Sequence, residues 1–389
     1  MTRSLQIVLA GMLVTLVLGS VHAFSVFLQP LESNLQLPRG DISLVYSIAL
    51  VSITLAVTVG YRTYGLLAPG WLVSITGLVA AVGLWLAAGA EAWWQLVLGY
   101  SFAFGFANGI GYGYCLQLAG FVMAERRGMA MGAVTAAYAV GSILFARLFA
   151  WRIEIASVGS ALSWLALAVL CACVLAGLVM YHAGARYPAA QSKRSRDNAD
   201  RALLLRFWFA YLTGVFAGLM AIGHAAGIAQ AEVSGFSRLA NWAAVTVGCG
   251  SALGGFVAGW LVDRWPVSRF LIGLPLLSAT GLVGIGMGPG IEWVLALLSV
   301  VGFAYGAIIA VYPVAIAHCF GEAGARAYGR VFLAWGLAGL SAPWLAGAIF
   351  DWHGDYALSM WFAAVVALLS AGSAALFRLG ETGQRLANE

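Results

Sequence analysis

The chain has 389 residues, of which 62% are hydrophobic and only 9% charged, against roughly a quarter charged in an ordinary soluble domain. No water-soluble fold hides that much apolar surface, so a soluble enzyme, a disordered chain, a collagen-like repeat and a disulfide-stapled secreted module are all excluded. The net charge of +5 has to be located along the chain before it is read as a polyanionic partner.

A membrane-spanning helix needs about 20 largely apolar residues. Twelve such stretches follow one another, at approximately 5–29, 42–60, 66–90, 94–120, 128–150, 158–181, 206–230, 240–262, 270–288, 293–318, 329–350 and 357–378. They are long and continuous, without the alternating pattern of outer-membrane strands, so they predict helices and not a barrel. The 49 glycines suit close helix approach in lipid. The first stretch, Arg3 to Val21-His22-Ala23, imitates a secretory leader, but its apolar run is longer than a leader core and it has a partner in the second half, so it reads as a retained span.

Between the sixth and seventh spans lies the polar stretch 182–205, with the run AQSKRSRDNADR. It predicts a solvated linker between a six-helix half at 1–181 and another at 206–389. Sixteen of the 20 Lys and Arg residues then fall on the side of the termini and this linker. Three, Arg39, Arg152 and Arg238, fall on the other, and Arg147 lies within a span. Since cytoplasmic loops are rich in Lys and Arg, both termini are expected in the cytoplasm, in a bacterial-type inner membrane, and the charge needs no nucleic acid. Cys115, Cys171, Cys173, Cys249 and Cys319 sit in apolar stretches without CxxC or Cys/His spacing. They predict buried small hydrophobes, with Cys171 and Cys173 on different faces, and no metal site.

Shifting the chain by about two hundred residues brings like chemistry into register, the trace of a duplicated six-helix unit. His22-Ala23 with Gln29 matches His224-Ala225 with Gln230. The end of span 2, from Gly60, matches the end of span 8, from Gly259. Gly105-Phe106-Ala107-Asn108-Gly109 matches Gly302-Phe303-Ala304-Tyr305-Gly306, and the same offset of 197 lays Tyr138 on Trp335. Two parallel halves imply a pseudo-two-fold axis along the membrane normal, with the solute pathway expected on it.

With these features the chain resembles the major facilitator superfamily over nearly its whole length. Gly259-x-x-x-Asp263-Arg264 with Arg269 is similar to that superfamily's loop motif after span 8. Phe24 to Glu32, Arg39-Gly40-Asp41-Ile42-Ser43, Gly218 to Ala225, and Tyr328-Gly329 with Gly336 resemble the bacterial oxalate/formate antiporter and monocarboxylate transporter group. The resemblance implies an all-α integral membrane protein, twelve transmembrane helices in two pseudo-symmetric halves, moving a solute by alternating access. It also implies a gating role for Asp263, Arg264 and Arg269. Two departures stand out. Tyr64 and Gly65 occupy the places of an Asp and an Arg in the first copy of the loop motif. Gly255 and Trp335 occupy those of the span 8 arginine and span 11 lysine used by anion-binding members of the group.

An ionisable group at membrane depth costs about 2.5 to 3.5 kcal/mol on insertion scales, so each is a candidate for function. His22 and His224 occupy equivalent positions, and imidazole can donate, accept or titrate near neutral pH. Each is expected either to line the cavity, binding an anionic group or carrying a coupled proton, or to bond between helices. Arg147 lies toward the outer end of span 5, as a snorkelling cation or an anion-attracting residue of the outer vestibule. Asn108 and Tyr112 share a helix face. With Tyr138, Tyr312 and Trp335 they supply the polar-tipped aromatic wall that suits weak binding of a small solute. Trp93, Trp94 and Trp352 lie near loop ends and predict interfacial anchors.

No Walker, HExxH or GxSxG motif occurs, so neither ATP hydrolysis nor a membrane enzyme is expected, and no cofactor is implied. The expected function is secondary transport of a small monocarboxylate or related organic anion, by proton symport or exchange. The expected partners are that solute, the bilayer and protons. A neutral or amphipathic solute is the alternative, as is a non-transporting sensor on the same fold.

Overall fold

A computed structural model describes residues 2–37, 39–187, 201–232, 242–288 and 290–378. The basic centre of the linker, Lys193, Arg194 and Arg196, lies outside these residues, as do Arg238 and Arg385.

The chain forms two compact units, one of Met1–Ala130 with Val140–Lys193, the other of Met131–Ala139 with Arg194–Glu389. Every regular element among the described residues is helical, as hydrocarbon requires of backbone groups that have no water to bond. Unit 1 starts with α1 (Arg3–Leu18), capped by Thr2 Oγ1, which accepts from the Leu5 amide at 3.4 Å. The same span continues as a 3-10 segment, Gly19–Phe27, and then α2 (Leu28–Leu35). After α3 (Arg39–Gly60) and α4 (Pro69–Ala88) comes a span in three parts, α5 (Trp93–Leu96), a π-helical segment (Val97–Phe104) and α6 (Gly105–Val122). Gln95 Oε1 starts it by accepting from the Glu91 and Ala92 amides at 2.7 and 3.1 Å. Two long helices close the unit, α7 (Arg127–Ile155), whose residues 131–139 group with unit 2, and α8 (Val158–His182). Gly184 ends α8 at φ +67°, and Ala185 donates to the Met180 carbonyl at 2.9 Å, a left-handed cap that turns the chain back.

Unit 2 opens with α9 (Arg201–Gly223) and α10 (Ala225–Ala231), one span broken at His224. It continues with α11 (Ala243–Val262), α12 (Val267–Gly286), α13 (Ile291–Phe320), α14 (Gly324–His353) and α15 (Ala357–Arg378). Ten helical stretches among the described residues are long and apolar enough to cross a membrane. Adding α3, whose apolar part is Leu44–Gly60, and the three-part span at 93–122 accounts for the twelve read from sequence. The breaks in spans 1 and 7 and the π segment have no counterpart in that reading.

Glycine, not side-chain bulk, sets the packing. Gly250 and Gly254 of α11 face Gly302 and Gly306 of α13, and a Cβ on any of them would overlap a backbone carbonyl of the other helix. Such small-x-x-x-small faces let backbones touch where lipid offers no hydrophobic drive. Buried threonine hydroxyls such as those of Thr54 and Thr76 turn back on their own helix, to the Leu50 and Leu72 carbonyls, both at 2.8 Å. One expectation needs correcting. Cys115 and Cys173 are buried, but Cys171 and Cys249 are exposed and Cys319 is intermediate. For a small apolar group in lipid, the outer helix surface is as comfortable as the interior, so burial is not enforced.

Candidate functional site

Nine residues is long for a 3-10 helix, whose hydrogen bonds are poorer and whose runs seldom pass four residues. Where helix type changes, carbonyls leave the regular ladder, and inside a bilayer each needs another donor. In unit 1 the neighbouring span supplies them. Asn108 Nδ2 donates to the Leu18 carbonyl at 2.7 Å, and the Tyr100 hydroxyl to that of Val21 at 3.3 Å. From the π segment, Ser101 Oγ donates to the Val45 carbonyl of α3 at 2.6 Å. Asn108 is completely buried, so in this structure its carboxamide serves the backbone of span 1.

His22 sits within the 3-10 segment, half-buried, with Nδ1 2.7 Å from the Tyr46 hydroxyl on α3. The Phe24 ring stacks on Tyr46 at 5.6 Å and tilts against Tyr100 at 5.0 Å. The structure thus brings His22 and Asn108 to the two sides of one irregular segment and adds Tyr46 and Tyr100, which the sequence did not single out among 14 tyrosines. Tyr112 is buried one turn beyond Asn108. Arg147 is exposed on α7, and Tyr138 is half-buried in the part of α7 that groups with unit 2.

In unit 2 the corresponding span breaks outright. His224 has φ −119° and ψ 15°, between the end of α9 and the start of α10. Its Nε2 lies 2.7 Å from the Pro343 carbonyl on α14, and its Nδ1 3.2 Å from the Tyr356 hydroxyl just before α15. Trp335 Nε1 donates to the Tyr305 hydroxyl at 2.8 Å, and Phe332 stacks on the Trp335 ring at 5.1 Å. Tyr305, the repeat counterpart of Asn108, lies across the backbone of α9 at Gly218, where a Cβ would come within 2.8 Å of its ring. Tyr312 is not part of that group. It is buried against Tyr211 at 4.6 Å, with Phe207 edge-on at 6.2 Å.

Asp263, Arg264 and Arg269 are all exposed. Arg264 folds back on its own helix, donating to the Trp260 carbonyl at 2.7 Å with its guanidinium 4.0 Å from the Trp260 ring. Such a cation satisfies an end-of-helix carbonyl and the negative end of the helix dipole. The first half is built differently. Tyr64, in the place of Asp263, is buried against Tyr114 at 5.1 Å and Tyr187 at 5.6 Å. Burial, and then the neighbouring Tyr187, Cys115 and Tyr114, push its phenol well above the ordinary range. Burial also raises Tyr187, against the pull of the Arg127 guanidinium.

Unit 1 thus sets imidazole, phenol and carboxamide groups beside apolar rings, and unit 2 imidazole, phenol and indole groups. No cluster of three or more metal-ligating side chains occurs among the described residues.

Residues 202–388 match the sequence profile of the Major Facilitator Superfamily. YhjX of Escherichia coli (strain K12), an MFS-type transporter, is 23% identical over 352 residues, covering 87% of this chain and 86% of its own length. The oxalate:formate antiporter of Oxalobacter formigenes is 23% identical over 379 residues, covering 90% of this chain and 86% of its own. Among solved structures, the proton:xylose symporter XylE superposes with a TM-score of 0.75 at 15% identity, over 97% of this chain and 96% of that one. The human organic anion transporter MFSD10 gives 0.72 at 14% identity, over 95% and 99%. At such identities the likeness is one of fold.

Proposed function

We propose that this chain, which has the major facilitator fold along its length and that superfamily's sequence signature through residues 202–388, moves a small organic anion, a monocarboxylate in the first instance. The reading rests on one observation above the rest. The two equivalent spans that open the halves both depart from regular α-helix around a histidine, span 1 from Gly19 onward in a 3-10 segment that contains His22 and span 7 at His224 itself. Irregular backbone at membrane depth persists where it lines a cavity or is held by protein, and solute sites of transporters lie on such helices. The similarity to an oxalate:formate antiporter over 90% of the chain supports an anion as the solute.

In this reading His22, Asn108, Tyr112, Tyr138, Arg147, His224, Tyr312 and Trp335 form the wall and supports of the solute site, with proton symport or exchange supplying the energy. Asp263, Arg264 and Arg269 act in gating, and both termini are cytoplasmic. Purified protein in proteoliposomes tests it, with labelled formate, acetate, lactate, oxalate and xylose. Saturable uptake of a monocarboxylate, stimulated by an inside-alkaline pH gradient or by preloaded carboxylate, is expected, and His22→Ala should abolish the stimulation. Uptake of xylose in preference to every carboxylate would overturn it. That second reading, a neutral solute, draws support from Gly255 and Trp335 standing where anion-binding relatives carry cations.

A further inference from the structure

The two histidines are placed differently, and the difference is chemical. A carbonyl can only accept, so the 2.7 Å approach of His224 Nε2 to the Pro343 carbonyl places the ring proton on Nε2. In the neutral ring Nδ1 is then the acceptor, and the Tyr356 hydroxyl at 3.2 Å is able to donate to it. One donor and one acceptor are the whole capacity of a neutral imidazole, and both are met by protein groups, the Pro343 carbonyl of α14 and the Tyr356 hydroxyl in the turn before α15. The surroundings fit the ring. A Cβ on Gly347 of α14 would touch Cε1 at 3.6 Å, one on Gly223 would meet the Pro343 ring at 3.1 Å, and one on Gly227 would lie 2.7 Å from the Tyr356 hydroxyl. Phe350 stacks on the Tyr356 ring at 4.6 Å and holds it in place.

We infer that His224 is a positioning residue, a bracket of fixed tautomer that sets the geometry of the break between α9 and α10 by tying it to α14 and α15. It neither carries the coupled proton nor bonds the solute. The roles proposed for His22, whose Nδ1 lies against the Tyr46 hydroxyl, are untouched by this inference. The inference refines the transporter reading above, but its tests use no transported solute, so it stands or falls separately from the choice of substrate.

Glutamine offers one amide donor and one carbonyl acceptor and does not titrate, so it can take over a bracket but not a proton carrier. Hydrogen exchange of the full chain in nanodiscs, followed in the peptide 219–231, should accelerate about tenfold in His224→Ala, equivalent to losing one net hydrogen bond at the break. In His224→Gln it should stay within about twofold of the wild type. Nitrogen-15 spectra of histidine-labelled protein, with His224 assigned by the signal missing from His224→Gln, should show a neutral ring protonated at Nε2. A ring protonated at Nδ1, a doubly protonated ring, an unaffected His224→Ala, or a glutamine variant that exchanges as fast as the alanine one would each overturn the inference. Should the alanine variant fail to fold, the tautomer and the glutamine variant still decide.

Discussion

Replacing Gly83 by alanine perturbs the contact between α4 and the π segment, on which the support of span 1 depends. A Cβ there would lie 2.6 Å from the Gly99 carbonyl oxygen, 2.6 Å from the Ala103 Cβ and 2.9 Å from the Phe104 nitrogen. None of these is the end of a flexible side chain, so the helices themselves must separate by about 0.7–1 Å to restore ordinary van der Waals distances. Overpacking of this kind costs about 1–3 kcal/mol, against which alanine gains about 0.5–1 kcal/mol over glycine in helical backbone. The net loss is about 0–2.5 kcal/mol, centred on about 1 kcal/mol, and for a unit of this size each kcal/mol shifts the melting temperature by about 2–4 °C. Gly372 in α15 has no atom within 4 Å of its Cβ position, so Gly372→Ala keeps the propensity gain without the clash. Thermal unfolding in detergent, read by size-exclusion recovery, should place Gly83→Ala about 2–4 °C below wild type and Gly372→Ala at or slightly above it. If Gly83→Ala melts with Gly372→Ala, the close approach of α4 to the π segment is not what holds that part of unit 1 together.

Asn108→Leu leaves the Leu18 carbonyl without its buried donor and should destabilise by about 1–3 kcal/mol; an unaltered melting temperature would mean that another group satisfies that carbonyl. Tyr64 carries a pH signature. Its folded-state pKa is raised by burial, so its contribution is complete below the unfolded value near 10 and is lost as pH climbs toward the folded value. Wild-type stability should therefore fall more steeply above about pH 10 than that of Tyr64→Phe, and parallel melting curves across that range would contradict the buried placement. Asp263→Asn should lower the maximal uptake rate severalfold with KM nearly unchanged, and a pure rise in KM would argue against gating.

The spans were legible because hydrocarbon leaves a chain few choices. A run of about 20 apolar residues must satisfy its own backbone, and helix is the local way to do it. The break in span 7 had a faint signal, Gly223 before His224, but Gly19–Phe27 reads as ordinary apolar helix. Its 3-10 geometry is held by Asn108 and Tyr100, some 80–90 residues away, and no local pattern encodes that. Histidine positions were readable from their cost in lipid, whereas their partners Tyr46, Pro343 and Tyr356 come from other spans and became visible only on folding. Tyr64 was noticed as a missing acid. That it packs on Tyr187, the start of the linker, could not be read, because tyrosine in a turn has no prescribed partner.

The glycine faces of α11 and α13 bear on how force passes through unit 2. Where backbone rests on backbone there is no cushion of rotatable side chains to absorb a push, so these two helices behave as one stiff plank. Bending within unit 2 is therefore expected away from this pair, and an alanine introduced at Gly254 or Gly306 would act as a shim, splaying the plank rather than softening it.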